Sequence, residues 1–160
     1  MKKETGKRIV FGILIATFAL YCFLLAIRLF VDGRYHMGFW DRFARANFIP
    51  FKTIYDYAVM LANDRINVST VFYNIFGNLI AFLPMGCYLP CFFERLRGVG
   101  NFCIAMLILL VSVEALQMLL GIGFFDIDDI ILNFAGAIAG YAIVHVPLIK
   151  KFLRKIYVYR

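Results

Sequence analysis

The chain has 160 residues, of which 63% are hydrophobic and only 17% charged, with a formal net charge of +7. Soluble domains carry roughly 45–50% apolar and about 25% charged residues, so a single soluble core of this size has nowhere to hide so much Phe, Leu and Ile. Disorder is excluded for the same reason, because disordered chains lack apolar surface. An integral membrane protein remains.

Charge-free runs locate the spans. A helix crossing hydrocarbon needs about 20 mostly apolar residues. Residues 9–27, 66–93, 98–113 with 115–125, and 130–149 supply them, Glu114 being the one interruption of the third. Four spanning helices are expected at about 9–29, 69–91, 100–122 and 128–148. Lipid forces helix there, since unpaired backbone groups cannot be satisfied in it. The first span reads as an anchor: its apolar run is too long for a signal peptide, and no small-x-small cleavage site follows it.

Between spans one and two, an aromatic-rich segment at about 34–66 is expected to lie along the membrane surface. Phe39, Phe43 and Ala46 fall at helical spacing opposite Asp41, Arg42 and Arg45. That pattern suits an interfacial helix. Ile49-Pro50 interrupts it, because the residue before proline avoids helical backbone. Thr53 to Leu61 then reads as another short helix. Two roles stand open for the segment: an aromatic belt, or a lid over something the aspartates hold.

Basic residues give the orientation. Lys2, Lys3, Lys7, Arg8, Arg95, Arg97, Lys150, Lys151, Arg154, Lys155 and Arg160 lie on one side, opposed only by Glu4 and Glu94. The positive-inside rule makes that side cytoplasmic and puts both termini there. The basic tail should lie against anionic lipid. Nucleic-acid binding accounts for the charge less economically.

Polar residues inside the spans are costly and usually face the bundle interior. Asn74 and Asn78 share a face of span two, and Glu114 and Gln117 a face of span three. Asp126, Asp129 and Asn133 share a stripe on span four, with Asp128 pointing elsewhere. Gln117 and Asn78 are the expected donors to Glu114. Blander readings exist for each: interhelical glue for the amides, an N-cap for the aspartates, an inert protonated Glu114. Their coincidence on three helices at similar depth favours a functional site. Gly136 and Gly140 form a GxxxG that admits a neighbouring helix, and Gly77 is expected to do the same on span two. Pro84, Gly86 and Pro90 should kink span two. Cys22, Cys87, Cys91 and Cys103 read as packing residues, with neither a disulfide framework nor a zinc pattern. His36 and His145 sit on opposite sides and cannot act together.

Several blocks in order carry a resemblance. They are Asn47-Phe48-Ile49-Pro50-Phe51; Asn74-x-x-x-Asn78-x-x-x-Phe82-x-Pro84-x-Gly86; Glu114-x-x-Gln117; and Asp126-Ile127-x-Asp129-x-Ile131-x-Asn133-x-x-Gly136. Over roughly residues 45–141 the chain resembles the VanZ-like family of small bacterial membrane proteins. The resemblance implies a cell-envelope role, the founding members being associated with teicoplanin resistance. A wider similarity to membrane-embedded lipid-modifying proteins, including phosphatidylserine-synthase-like enzymes, has been proposed for the family. It implies Asn78, Glu114, Gln117, Asp126, Asp129 and Asn133 as site candidates. Many relatives carry Arg in the loop before the aspartates, whereas Gly121-Ile122-Gly123 has none, so a needed cation must come from elsewhere.

The expectation is an all-α membrane protein of the bacterial cytoplasmic membrane that modifies the head group of a lipid or lipid-linked envelope precursor. Asp126 and Asp129 would hold Mg²⁺ or Ca²⁺, which favour oxygen ligands. Glu114 would serve as general acid or base, while Asn47, Asn74, Asn78, Gln117 and Asn133 would orient the substrate. The other expectation is a protein that catalyses nothing and shields a precursor, or binds a lipophilic antibiotic.

Overall fold

A computed structural model of the chain describes residues 2–31 and 37–155; Arg34, Tyr35, His36 and Arg160 lie outside the described residues. The helices are α1 (Lys2–Phe30), α2 (Phe39–Ala44), α3 (Lys52–Ala62), α4 (Val68–Ala81), α5 (Leu83–Phe92), α6 (Val99–Leu120), α7 (Ile127–His145) and α8 (Pro147–Lys155), with a 3₁₀ turn at Glu94–Arg97. Among the described residues, four helical stretches are long and apolar enough to cross a membrane: Arg8–Phe30, Val68–Phe92, Val99–Leu120 and Ile127–His145. The short α2 and α3 fill the segment between the first two.

The second span is two helices meeting at Phe82. Pro84 explains the break, since it lacks an N–H and its ring clashes with the carbonyl four residues back. Helix α5 restarts with Gly86 N donating to Phe82 O at 3.2 Å. Tyr21 of α1 donates its hydroxyl to Ala81 O at 2.7 Å, so a carbonyl at the break is satisfied from a neighbouring helix.

Helix α7 lies at the centre, against α4, α5 and α6. Its glycines make this possible. A Cβ on Gly136 would collide with Leu79 O, one on Gly140 with Leu83 O, and one on Gly86 with Ala137 O. Backbone therefore rests on backbone, as the GxxxG spacing predicts. Gly77 departs from the expectation: what lies over it is the Arg28 guanidinium, not a helix.

Helix α6 turns one stripe inward. Phe102, Met106 and Leu110 are fully buried, and Glu114 continues the same four-residue step. One end of the bundle joins Phe11 to Phe92 by ring contact and the Tyr141 hydroxyl to Arg97 O at 2.6 Å. The opposite end joins Gln117 Nε2 to Leu29 O at 2.8 Å and carries α2, α3 and the loop before α7.

Candidate functional site

The site forms where the segment after α2 meets the start of α7. Asn47 and Asp126 pair as an isolated parallel bridge, Asn47 N donating to Phe125 O at 2.8 Å and Ile127 N to Asn47 O at 2.9 Å. The Asn47 side chain repeats the link. Its Nδ2 donates to Asp126 Oδ1 at 2.9 Å and to Thr53 Oγ1 at 3.1 Å, while Oδ1 accepts from Ile49 N at 3.0 Å.

Asp126 caps α7, accepting Asp128 N at 2.8 Å, and its other oxygen accepts the Thr53 hydroxyl at 2.6 Å. Short polar side chains at this position satisfy the orphan donors of a helix start. Asp128 performs the same task for another helix. It is completely buried, and it accepts Phe51 N at 2.5 Å, Thr53 N at 2.7 Å and Ile54 N at 3.3 Å. The first turn of α3 has no side-chain cap of its own. Phe51, at φ 65°, adopts the left-handed conformation that L-residues avoid. The Asp128 carboxylate holds that turn in place and opposes the positive end of its dipole.

Glu114 and Asp129 complete the polar centre. Glu114 is buried and its Oε2 accepts Asp126 N at 3.2 Å. Asn78 Nδ2 donates to Asp129 Oδ1. A cavity of about 370 Å³ brings Glu114, Asp126 and Asp129 together with Arg45, Lys52 and Gln117. Tyr57, Phe124 and Phe125 also line it. The Arg45 guanidinium makes no ion pair or hydrogen bond among the described residues. Lys52 pairs with Asp56 at 2.9 Å, and this hydrogen bond raises its ammonium above the ordinary lysine value. Two cations thus face three carboxylates across one polar space.

Several expectations require correction. Asn78 and Gln117 do not serve Glu114: the first is held by Asp129, the second by Leu29 O. Asn74 is exposed and donates to Thr70 O of its own helix at 2.8 Å, one turn away from the site. Asn133 is buried, does not line the cavity, and its Oδ1 has no hydrogen-bond partner among the described residues. Asp128 does point away from the cavity, as its spacing suggests, but into the start of α3, where it is the most buried of the acids. Both Asp126 oxygens accept protein donors, and among the described residues no group of three or more His, Cys, Asp or Glu is gathered to hold a metal. Arg45 and Lys52 bring positive charge to the same cavity.

The cation missing from the 121–123 loop is also supplied in space. Arg42 is buried, donates from Nε to Met118 O at 2.9 Å and from Nη1 to Met37 O. Its guanidinium lies against Gly121, the left-handed C-cap of α6. A cation there meets the carbonyls of the last turn and the negative end of the helix. Helical spacing places Arg42 on a solvated face, so sequence reasoning missed this role. The only signal was a cation-free loop awaiting a partner.

No curated protein and no solved structure matches the chain. A family model described as VanZ/LLP1 matches residues 13–150. The match spans all four membrane-crossing stretches almost entirely, together with every residue that builds the cavity, and the chain is a member of the VanZ/LLP1 family.

Proposed function

We propose that the protein acts at the outer face of the bacterial cytoplasmic membrane, both termini being cytoplasmic, on the head group of a lipid or lipid-linked envelope precursor. The observation that carries this reading is the convergence of Glu114, Asp126 and Asp129 with Arg45 and Lys52 on one cavity of about 370 Å³. Orientation rests on the basic residues at the opposite end of the bundle. Arg45 offers an unpaired, planar donor fork suited to phosphate oxygens. Lys52 adds a point charge beside it. Glu114, buried at the floor, takes a proton from an attacking hydroxyl or hands one to a leaving oxygen. Asp129, steadied by Asn78, orients the hydroxyl or ammonium part of the head group. Association of the family with teicoplanin resistance fits a change in surface lipid or precursor chemistry.

The test is an untargeted lipid and cell-wall-precursor profile of cells with and without the protein, beside Glu114→Gln and Asp129→Asn. A head-group change that requires both carboxylates supports the reading; identical profiles with and without the protein sink it. A second reading, a non-catalytic shield, draws on the exposed aromatic surface of Trp40, Phe43 and Phe48. It expects Trp40→Ala to abolish any protective effect and Glu114→Gln to leave it intact.

A further inference from the structure

Helix α1 is the most exposed of the four spans. Only 6% of its apolar window is buried, against 44% for the central α7. Between α1 and the second span runs a groove of about 360 Å³, within the range of small-ligand sites. Its walls include Leu24, Leu25, Phe72, Phe76 and Ile80. Phe72 and Phe76 stack with centroids 4.4 Å apart and form a continuous apolar surface. The Tyr21 hydroxyl, the one polar group at the Pro84 end, is already spent on Ala81 O.

At the other end of this groove lies Arg28. Its guanidinium covers Gly77, where the missing side chain leaves room for it. Arg28 is exposed and makes no hydrogen bond or ion pair among the described residues. A charged side chain on a spanning helix is retained where it finds a partner or a function. Acyl chain and anion are the complementary chemistries, and one molecule joins them. We propose that the groove seats a phospholipid of net negative charge, its chain along Phe72, Phe76 and Ile80 and its phosphate on Arg28. The phosphate then lies beside Gly77-Asn78, the segment that holds Asp129 at the wall of the polar cavity. Binding here does not depend on any reaction in that cavity.

The test uses the full chain in vesicles, with Trp40→Phe removing the only tryptophan and Phe76→Trp placing a reporter in the groove. A second protein carries Ile108→Trp on the exposed face of α6. Brominated phosphatidylglycerol should quench the groove reporter at a several-fold lower mole fraction than brominated phosphatidylcholine. The α6 reporter should show no preference, and Arg28→Gln should erase the preference at position 76. Equal quenching by the two lipids with Arg28 intact overturns the proposal, as does a preference that survives Arg28→Gln or that the α6 reporter shares. The comparison of reporters with Arg28 in place decides the matter even if Arg28→Gln is not recovered folded.

Discussion

The Asp128 carboxylate of α7 accepts the backbone N–H of Thr53 in α3 at 2.7 Å, across 75 residues of sequence. With Phe51 N and Ile54 N on the same carboxylate, one buried acid organises the start of a helix to which it does not belong. The polar cavity exists because this clasp holds Lys52 and Thr53 over Asp126.

Removing the clasp is the sharpest structural test. Asp128→Ala strands three backbone donors, each costing roughly 1–3 kcal/mol when buried without a partner. Loss of about 3 kcal/mol in detergent-solubilised unfolding is expected, with new protease cleavage between residues 45 and 62. Asp128→Asn keeps the shape but weakens the charge-assisted bonds and should cost less. Unchanged protease resistance in Asp128→Ala would contradict the clasp.

The glycine contacts give a graded series. Gly136→Ala and Gly140→Ala each drive a methyl into a carbonyl of the second span, and overpacking of this kind costs about 3 kcal/mol where backbone must move. Gly100→Ala meets nothing within 4 Å and should leave thermal stability unchanged or slightly raised, as alanine favours helix. Equal melting temperatures across the three variants would refute backbone-to-backbone packing of α7.

Arg42 should behave as a structural cation. Arg42→Leu removes the charged donor to Met118 O and Met37 O, leaving Met118 O with Gly121 N alone, a loss of about 2 kcal/mol by the usual worth of hydrogen bonds from a charged group. The readout is thermal unfolding in micelles. Arg45→Gln, whose guanidinium is unpaired, should leave the melting temperature unaltered.

Function separates the same residues differently. Once a head-group reaction is in hand, Glu114→Gln should lower kcat by roughly 10²–10⁴, the usual contribution of a positioned acid or base. Arg45→Gln should instead raise KM by about tenfold, the smaller effect of one lost charge-assisted contact. Asn74→Ala, one turn outside the site, should change neither. If Asn74→Ala proves as damaging as Glu114→Gln, the cavity is not where the chemistry occurs.

The membrane-crossing helices were legible in the residue order because hydrocarbon leaves the backbone no alternative to helix, and long apolar runs announce it. Pro84 announced the break in the second span, and Gly136 with Gly140 announced a close neighbour. Glu114 was legible too, being one polar residue in an apolar run. Which donors serve each acid was not. Helical spacing places Asp128 off the stripe of Asp126 and Asp129, and Asn74 on the stripe of Asn78. Yet the groups that decided their roles are a segment 75 residues away and Asn74's own helix backbone. Periodicity reports which face a side chain leaves from, while a hydrogen bond depends on what another part of the chain brings to that face. The amino-acid order therefore determined that this chain crosses a membrane and buries acids within it. Only tertiary structure decided that Arg45 and Lys52 supply the opposing charge, because those cations arrive from a segment whose path is set by long-range contacts with α7.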